Sequence, residues 1–108
     1  MRRLPTHAVD ELNSFLRKLL EIREGDGNLL PGYAEAILVF LRLQPEGTAR
    51  MAQLQKRLGI SSWRTGRLCR ALERKGLARI VPHTDDRREK SVRLTSTGER
   101  LVDKTVAA

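Results

Sequence analysis

Ser61-Ser62-Trp63-Arg64-Thr65-Gly66-Arg67-Leu68-Cys69-Arg70-Ala71-Leu72-Glu73-Arg74-Lys75-Gly76 decides how this chain is read. Ser61 has the side chain of a helix N-cap, and Gly76 has the conformational freedom of a helix terminator. Together they predict a helix from about 62 to 75. On a wheel of about 100° per residue with Arg64 at zero, Thr65, Leu68, Cys69 and Leu72 fall between roughly 40° and 140°. Trp63, Arg64, Arg67, Arg70 and Arg74 fall between roughly 240° and 360°. One face is therefore aliphatic and small. The other carries four arginines, one tryptophan and no acid, with Glu73 between the two faces.

Four guanidiniums on one helix repel each other unless an array of anions compensates them. The major groove of a DNA duplex admits an α-helix, and arginine bonds guanine O6 and N7 in bidentate fashion. Residues near the start of such a helix reach bases, and those further along meet phosphates. Arg64 and Arg67 are thus assigned to base edges and Arg70 and Arg74 to phosphates, and Ser62, at the helix start, is assigned to DNA binding as well. For Trp63 two readings stand side by side: contact with a thymine methyl or sugar, and packing against the preceding helix. A purely solvated face would normally interleave charges of both signs, and this one does not.

Moving toward the N-terminus, Gly59 stops a short helix over 51–58, with Met51, Leu54 and Leu58 inward. Two helices joined through a Gly59-containing turn suggest a helix-turn-helix. Pro45-Glu46-Gly47 ends an earlier helix over about 31–43, for which Pro31 suits the first turn. That helix has apolar groups on every side: Tyr33, Ala34, Ala36, Ile37, Leu38, Val39, Phe40, Leu41 and Leu43. A helix that is apolar all round must be buried all round. Either the first helix wraps it or a second chain does, and self-association is the expectation. The first helix spans about 6–24, with Thr6 as its cap and Val9, Leu12, Phe15, Leu16, Leu19 and Leu20 in one stripe. Gly25-Asp26-Gly27-Asn28 reads as a loop.

Moving toward the C-terminus, the period changes. Leu77 to Val81 and Ser91 to Leu94 read as strands. Between them lies a charged hairpin loop, Pro82-His83-Thr84-Asp85-Asp86-Arg87-Arg88-Glu89-Lys90. A hairpin directly after the second helix makes the unit a winged helix. Arg87, Arg88 and Lys90 form a basic wing. Arginine entering a narrow minor groove is favoured by the negative potential there, and Asp86 can orient an arginine through a fork-shaped pair. Taken alone, the loop has a second and weaker reading as an exposed, mobile, salt-bridged loop. Thr95 or Ser96 caps a last helix to about 106. The fold class expected is α+β, mainly α: a winged helix-turn-helix with a three-helix core, a two-stranded wing and flanking terminal helices.

The charge agrees with that layout. The chain has 108 residues and a formal net charge of +8. Residues 1–45 carry six basic and six acidic side chains, and residues 96–108 carry two of each. Residues 46–95 carry 13 basic and five acidic ones, so the whole excess lies there. A localised excess of this size is the footprint of a polyanion-binding surface. Aromatics make up only 4%, which disfavours a single-strand binder built on base stacking. The length suits one domain. Its parts are 1–45, assigned to dimerisation, 46–95, assigned to DNA binding, and 96–108, a short terminal helix.

Leu72-Glu73-Arg74-Lys75-Gly76-Leu77, then Asp86-Arg87-Arg88, then Val92-Arg93-Leu94-Thr95 and Gly98 resembles the MarR family of winged-helix transcription regulators. The family pattern is a LExxGL helix end, a DRR wing and a V-x-LT-x-x-G exit, and the likeness covers about 48–98. The resemblance implies a dimer on palindromic duplex DNA, with a recognition helix in the major groove and a wing arginine in the minor groove. By position, Arg67 matches the recognition-helix arginine, Asp86 the wing aspartate and Arg88 the wing-tip arginine. Two departures stand out. The chain ends about ten residues past Gly98, where family members continue through long dimerisation helices. Ile80 stands where the family often has a strand arginine. Dimerisation would then fall to the first two helices and the short tail, and no effector ligand is assigned.

Other chemistry finds little support. Cys69 projects into the apolar arc and reads as a small core residue. A single cysteine excludes an intrachain disulfide. His83, Asp85 and Asp86 make only a weak metal set on a loop, and His7 reads as solvated. No nucleophilic triad and no phosphate-cradling glycine loop is present, so no enzyme activity and no cofactor are expected. No apolar run approaches the roughly 20 residues of a membrane span, and Met1-Arg2-Arg3 leads into Leu4-Pro5-Thr6 without a signal pattern. The expected setting is cytoplasmic. The function expected is a sequence-specific, dimeric, duplex-DNA-binding transcription regulator acting as a repressor. The alternatives are a winged helix that docks on another protein and a non-specific architectural DNA binder.

Overall fold

The computed structural model describes residues 3–24, 32–82 and 89–107. In chain order the described elements are α1 (Thr6–Glu24), α2 (Gly32–Arg42), a 3-10 turn (Pro45–Gly47), β1 (Thr48–Arg50), α3 (Met51–Leu58), α4 (Ser62–Arg74), β2 (Ala78–Pro82), β3 (Lys90–Leu94) and α5 (Ser96–Ala107). The helices expected from periodicity and caps are all present, within a residue or two of their expected ends. The Gly25–Asn28 loop, Pro31 and the side chains of Leu19 and Leu20 lie outside the described residues. Thr6 does not precede α1 as a cap but begins it, and the Pro5 carbonyl accepts from the Ala8 and Val9 amides.

The sheet differs from the expected two-stranded wing. Its order is β1-β3-β2, all antiparallel. Thr48, Ala49 and Arg50 pair with Arg93, Val92 and Ser91, so the chain entering α3 supplies a third strand. Strand side chains alternate between faces. Ala49, Val92, Ala78 and Leu94 are buried against the helices. The opposite face carries the row Thr48–Arg93–Arg79 in register, with Arg93 Nε donating to Thr48 Oγ1 at 3.3 Å.

The apolar helix α2 sits at the centre. It packs against α1, α3, α4, α5, β1 and β3. Ala36, Ile37 and Leu41 are fully buried, Leu38 and Val39 nearly so, and Phe40 and Leu43 partly. Its own chain therefore covers it, and no second chain is needed for that purpose. Arg42, at its last turn, is buried as well. Its Nε donates to Asp103 Oδ1 at 2.8 Å, and Nη2 donates to Asp103 Oδ2 at 3.3 Å and pairs with Glu99 Oε1 at 3.3 Å. This fork fixes α5 on α2.

The junction between α4 and the sheet explains the helix-end motif. Gly76 adopts φ +75°, its amide bonds the Glu73 carbonyl at 2.9 Å, and the Leu77 amide bonds the Leu72 carbonyl at 3.0 Å. This is a Schellman ending, in which the glycine takes the left-handed conformation. Glu73 Oε2 accepts from the Ile80 amide at 2.9 Å, on the edge of β2 that faces away from β3. Thr95 Oγ1 donates to the Gly76 carbonyl at 2.7 Å and accepts from the Gly98 amide at 3.0 Å. Thr95, rather than Ser96, therefore caps α5 while tying it to the end of α4. A β-carbon at Gly98 would overlap the Leu77 carbonyl oxygen and crowd Leu94. Gly98→Ala is expected to cost about 1–3 kcal/mol of stability, read from urea unfolding, and an unchanged midpoint would contradict this packing.

Candidate nucleic-acid interface

The surface is built on α4. Ser61 Oγ accepts from the Arg64 amide at 3.2 Å, closing the N-terminus, and Thr65 Oγ1 donates to the Ser61 carbonyl at 2.9 Å. Thr65, Cys69 and Leu72 are buried, so the aliphatic arc faces α2 and α3 as the wheel requires. Ser62, Trp63, Arg64, Arg67, Arg70 and Arg74 are all exposed. Among the described residues, no carboxylate lies within ion-pairing distance of these four arginines.

The face has internal order. Trp63 is 61% exposed and does not pack into the preceding helix. The Arg67 guanidinium carbon lies 4.9 Å from its ring centroid. Arg70 instead lies over Gly66, where a β-carbon would come within 3.3 Å of Nη1. Ser62 and Arg70 line a groove of about 340 Å³ together with Gln55 of α3 and with Glu89 and Lys90 at the base of the wing. Helix α4 and the wing base thus share one surface. Arg50, at the end of β1, pairs with Glu89 at 3.6 Å and braces that base. Asp86, Arg87 and Arg88 lie outside the described residues, as do His83 and Asp85.

Arg79 and Arg93, directly opposed on the outer sheet face and both exposed, add two cations that the sequence reading did not place on any surface. Their alternation with Ala78 and Val92 was the available signal. Like charges directly opposed across strands destabilise a sheet, which a nearby polyanion would offset.

Cys69 is fully buried beneath this face. Burial pushes its thiol up from 9.0 to about 12, with the Arg70 charge pulling the other way. The folded state holds the proton more tightly than the unfolded chain. The resulting stability is present below pH 9.0 and is lost as pH rises toward about 12. A disulfide reagent at pH 8 is expected to titrate Cys69 only after denaturant is added, and rapid reaction with the folded protein would contradict the burial. Among the described residues, no group of three His, Cys, Asp or Glu side chains comes together as a metal site. Nor is any helix there long and apolar enough to cross a membrane.

The sequence profile of the MarR family matches residues 36–89, from within α2 to the base of the wing. The chain belongs to the MarR family. This is a family of transcription regulators rather than of enzymes. No curated protein matches the chain significantly. Among solved structures, the MarR family transcriptional regulator Sco3205 from Streptomyces coelicolor, in complex with DNA, is similar with a TM-score of 0.68. Identity is 24%, over 99% of this chain and 71% of that one. MepR from S. aureus, also in complex with DNA, has a TM-score of 0.66 at 22% identity, over 91% of this chain and 75% of that one. AbsC, another MarR family regulator from S. coelicolor, has a TM-score of 0.62 at 25% identity, over 99% and 78%. In this MarR-family chain Ile80 packs partly buried against the core and takes the row of Val92, so the family's frequent strand arginine is absent from that row. Arg79 places a guanidinium on the opposite face.

Proposed function

We propose that this protein is a sequence-specific, duplex-DNA-binding transcription regulator that acts as a cytoplasmic homodimeric repressor. The observation that carries the reading is the face of α4: four exposed arginines with no described carboxylate among them, on a helix whose other side is locked into the core. The major groove of a duplex admits such a helix. Arg64 and Arg67 read base edges, with Ser62 and Trp63 beside them. Arg70, Arg74 and Lys90 hold phosphates, and Arg87 and Arg88, oriented by Asp86, serve the minor groove. Residues 46–95 are the DNA-binding part. Residues 1–45 and the C-terminal helix serve dimerisation, which family membership supports, as does Leu101, 47% exposed on α5. Two copies place two α4 helices on the half-sites of a palindrome.

The reading as a protein-docking module rested on the apolar second helix, and α2 is covered by its own chain. The test is duplex affinity against salt. Each neutralised phosphate contributes a log-log slope of about −0.9, so the wild type is expected to show a steep dependence. Arg74→Ala is expected to weaken all sequences alike and to reduce the slope by about one. A flat dependence would overturn the reading. A specific-to-nonspecific affinity ratio near unity would leave only an architectural binder.

A further inference from the structure

We infer that Trp63 and Arg67 form one reading unit that selects a thymine beside a guanine, recognising the thymine by its 5-methyl group; the inference rests on the duplex-binding reading above. Trp63 is the chain's single tryptophan and is 61% exposed, on the same helix face as the arginines. An indole left in water forgoes the apolar burial that such a side chain usually finds in a core. What the exposure provides is a platform, with the Arg67 guanidinium carbon 4.9 Å from the ring centroid. Stacking uses the face of the guanidinium and hydrogen bonding uses its edge. The ring can therefore hold Arg67 in one orientation while its N–H groups stay open to guanine O6 and N7. Arg67 then loses less rotamer freedom on binding.

The second half of the unit follows from what the groove offers. Among major-groove base edges, the methyl group of thymine is the apolar one. Trp63 and Arg67 are one helical turn apart, about 6 Å along the axis, against a duplex rise of about 3.4 Å per base pair. An indole packed on the arginine that reads one base pair therefore meets the edge of a neighbouring pair. Its apolar edge finds a partner there only if that pair carries the methyl.

The experiment uses the full chain. Binding sites are selected from random duplexes with the wild type, Trp63→Ala and Trp63→Phe, and the selected wild-type site is resynthesised with deoxyuridine replacing each thymine in turn. Deoxyuridine removes the 5-methyl and leaves pairing intact. For the wild type, one position beside a guanine in each half-site is expected to lose about fourfold in affinity, the effect of one buried methyl-sized group. Trp63→Ala is expected to bind the same site more weakly, to be indifferent to that replacement and to select no thymine there. Trp63→Phe is expected to keep part of the preference. The inference is overturned if deoxyuridine beside every guanine leaves wild-type affinity unchanged, or if Trp63→Ala selects the same site. A steep salt dependence alongside either result leaves the duplex-binding reading standing and removes the reading unit alone. A flat one removes both.

Discussion

Removing both carboxylates that face Arg42, in the variant Glu99→Ala with Asp103→Ala, is expected to destabilise the protein by about 3–5 kcal/mol, the range for stranding a buried charge. The Arg42 side chain is 3% exposed, whereas Glu99 and Asp103 are 17% and 28% exposed. That asymmetry sets the order of effects. Without its partners, the guanidinium keeps its charge in a site that water barely reaches. Without the guanidinium, the carboxylates can turn toward solvent. Arg42→Met, which also fills the space with a flexible apolar chain, is therefore expected to cost less than the double variant. Urea unfolding of the three proteins measures both quantities. A double variant that loses under 1 kcal/mol, or one less harmed than Arg42→Met, would contradict the account of how α5 is fixed. Since α2 and α5 are joined through this fork, the double variant is also expected to lose helical signal first in α5.

Arg67→Ala is expected to lower affinity for the selected duplex by about 10- to 100-fold, the span of one bidentate arginine–guanine contact. Binding to unrelated duplex should change little, because a base contact supplies discrimination whereas phosphates supply the common affinity. The contrast with Arg74→Ala, which weakens all sequences, separates the two roles on one helix. Competition binding at fixed salt reads the ratio. If Arg67→Ala and Arg74→Ala lower specific and non-specific binding in the same proportion, Arg67 does not read a base.

Helix α4 was legible because its signals are local. Ser61 caps it, Gly76 ends it, and the arginines and the buried Thr65, Cys69 and Leu72 separate on a wheel. The exposed position of Trp63 was not legible. A tryptophan on a polar arc has two uses, and only the packing of its neighbours tells them apart. Strand β1 was missed because three residues, Thr48 to Arg50, are too few to show a period. Their extended form is imposed by pairing with β3, more than forty residues along the chain. The burial of Arg42 has the same origin, since Asp103 lies 61 residues away. The apolar second helix announced that it would be covered, but composition could not name the cover. On the wheel Glu73 lies between the two faces. Its use, accepting the Ile80 amide at the sheet edge, depends on where the chain turns after Gly76.

On the proposed reading, the outward face of α4 lies against the duplex. Trp63 reports on it directly, being the chain's single tryptophan and lying within that face. Duplex titrated into the protein at low salt should change the intrinsic tryptophan fluorescence saturably, in step with binding followed by the anisotropy of a labelled duplex, and added salt should reverse both together. Binding seen by anisotropy with the tryptophan signal unaltered would place the duplex elsewhere on the protein and contradict the account.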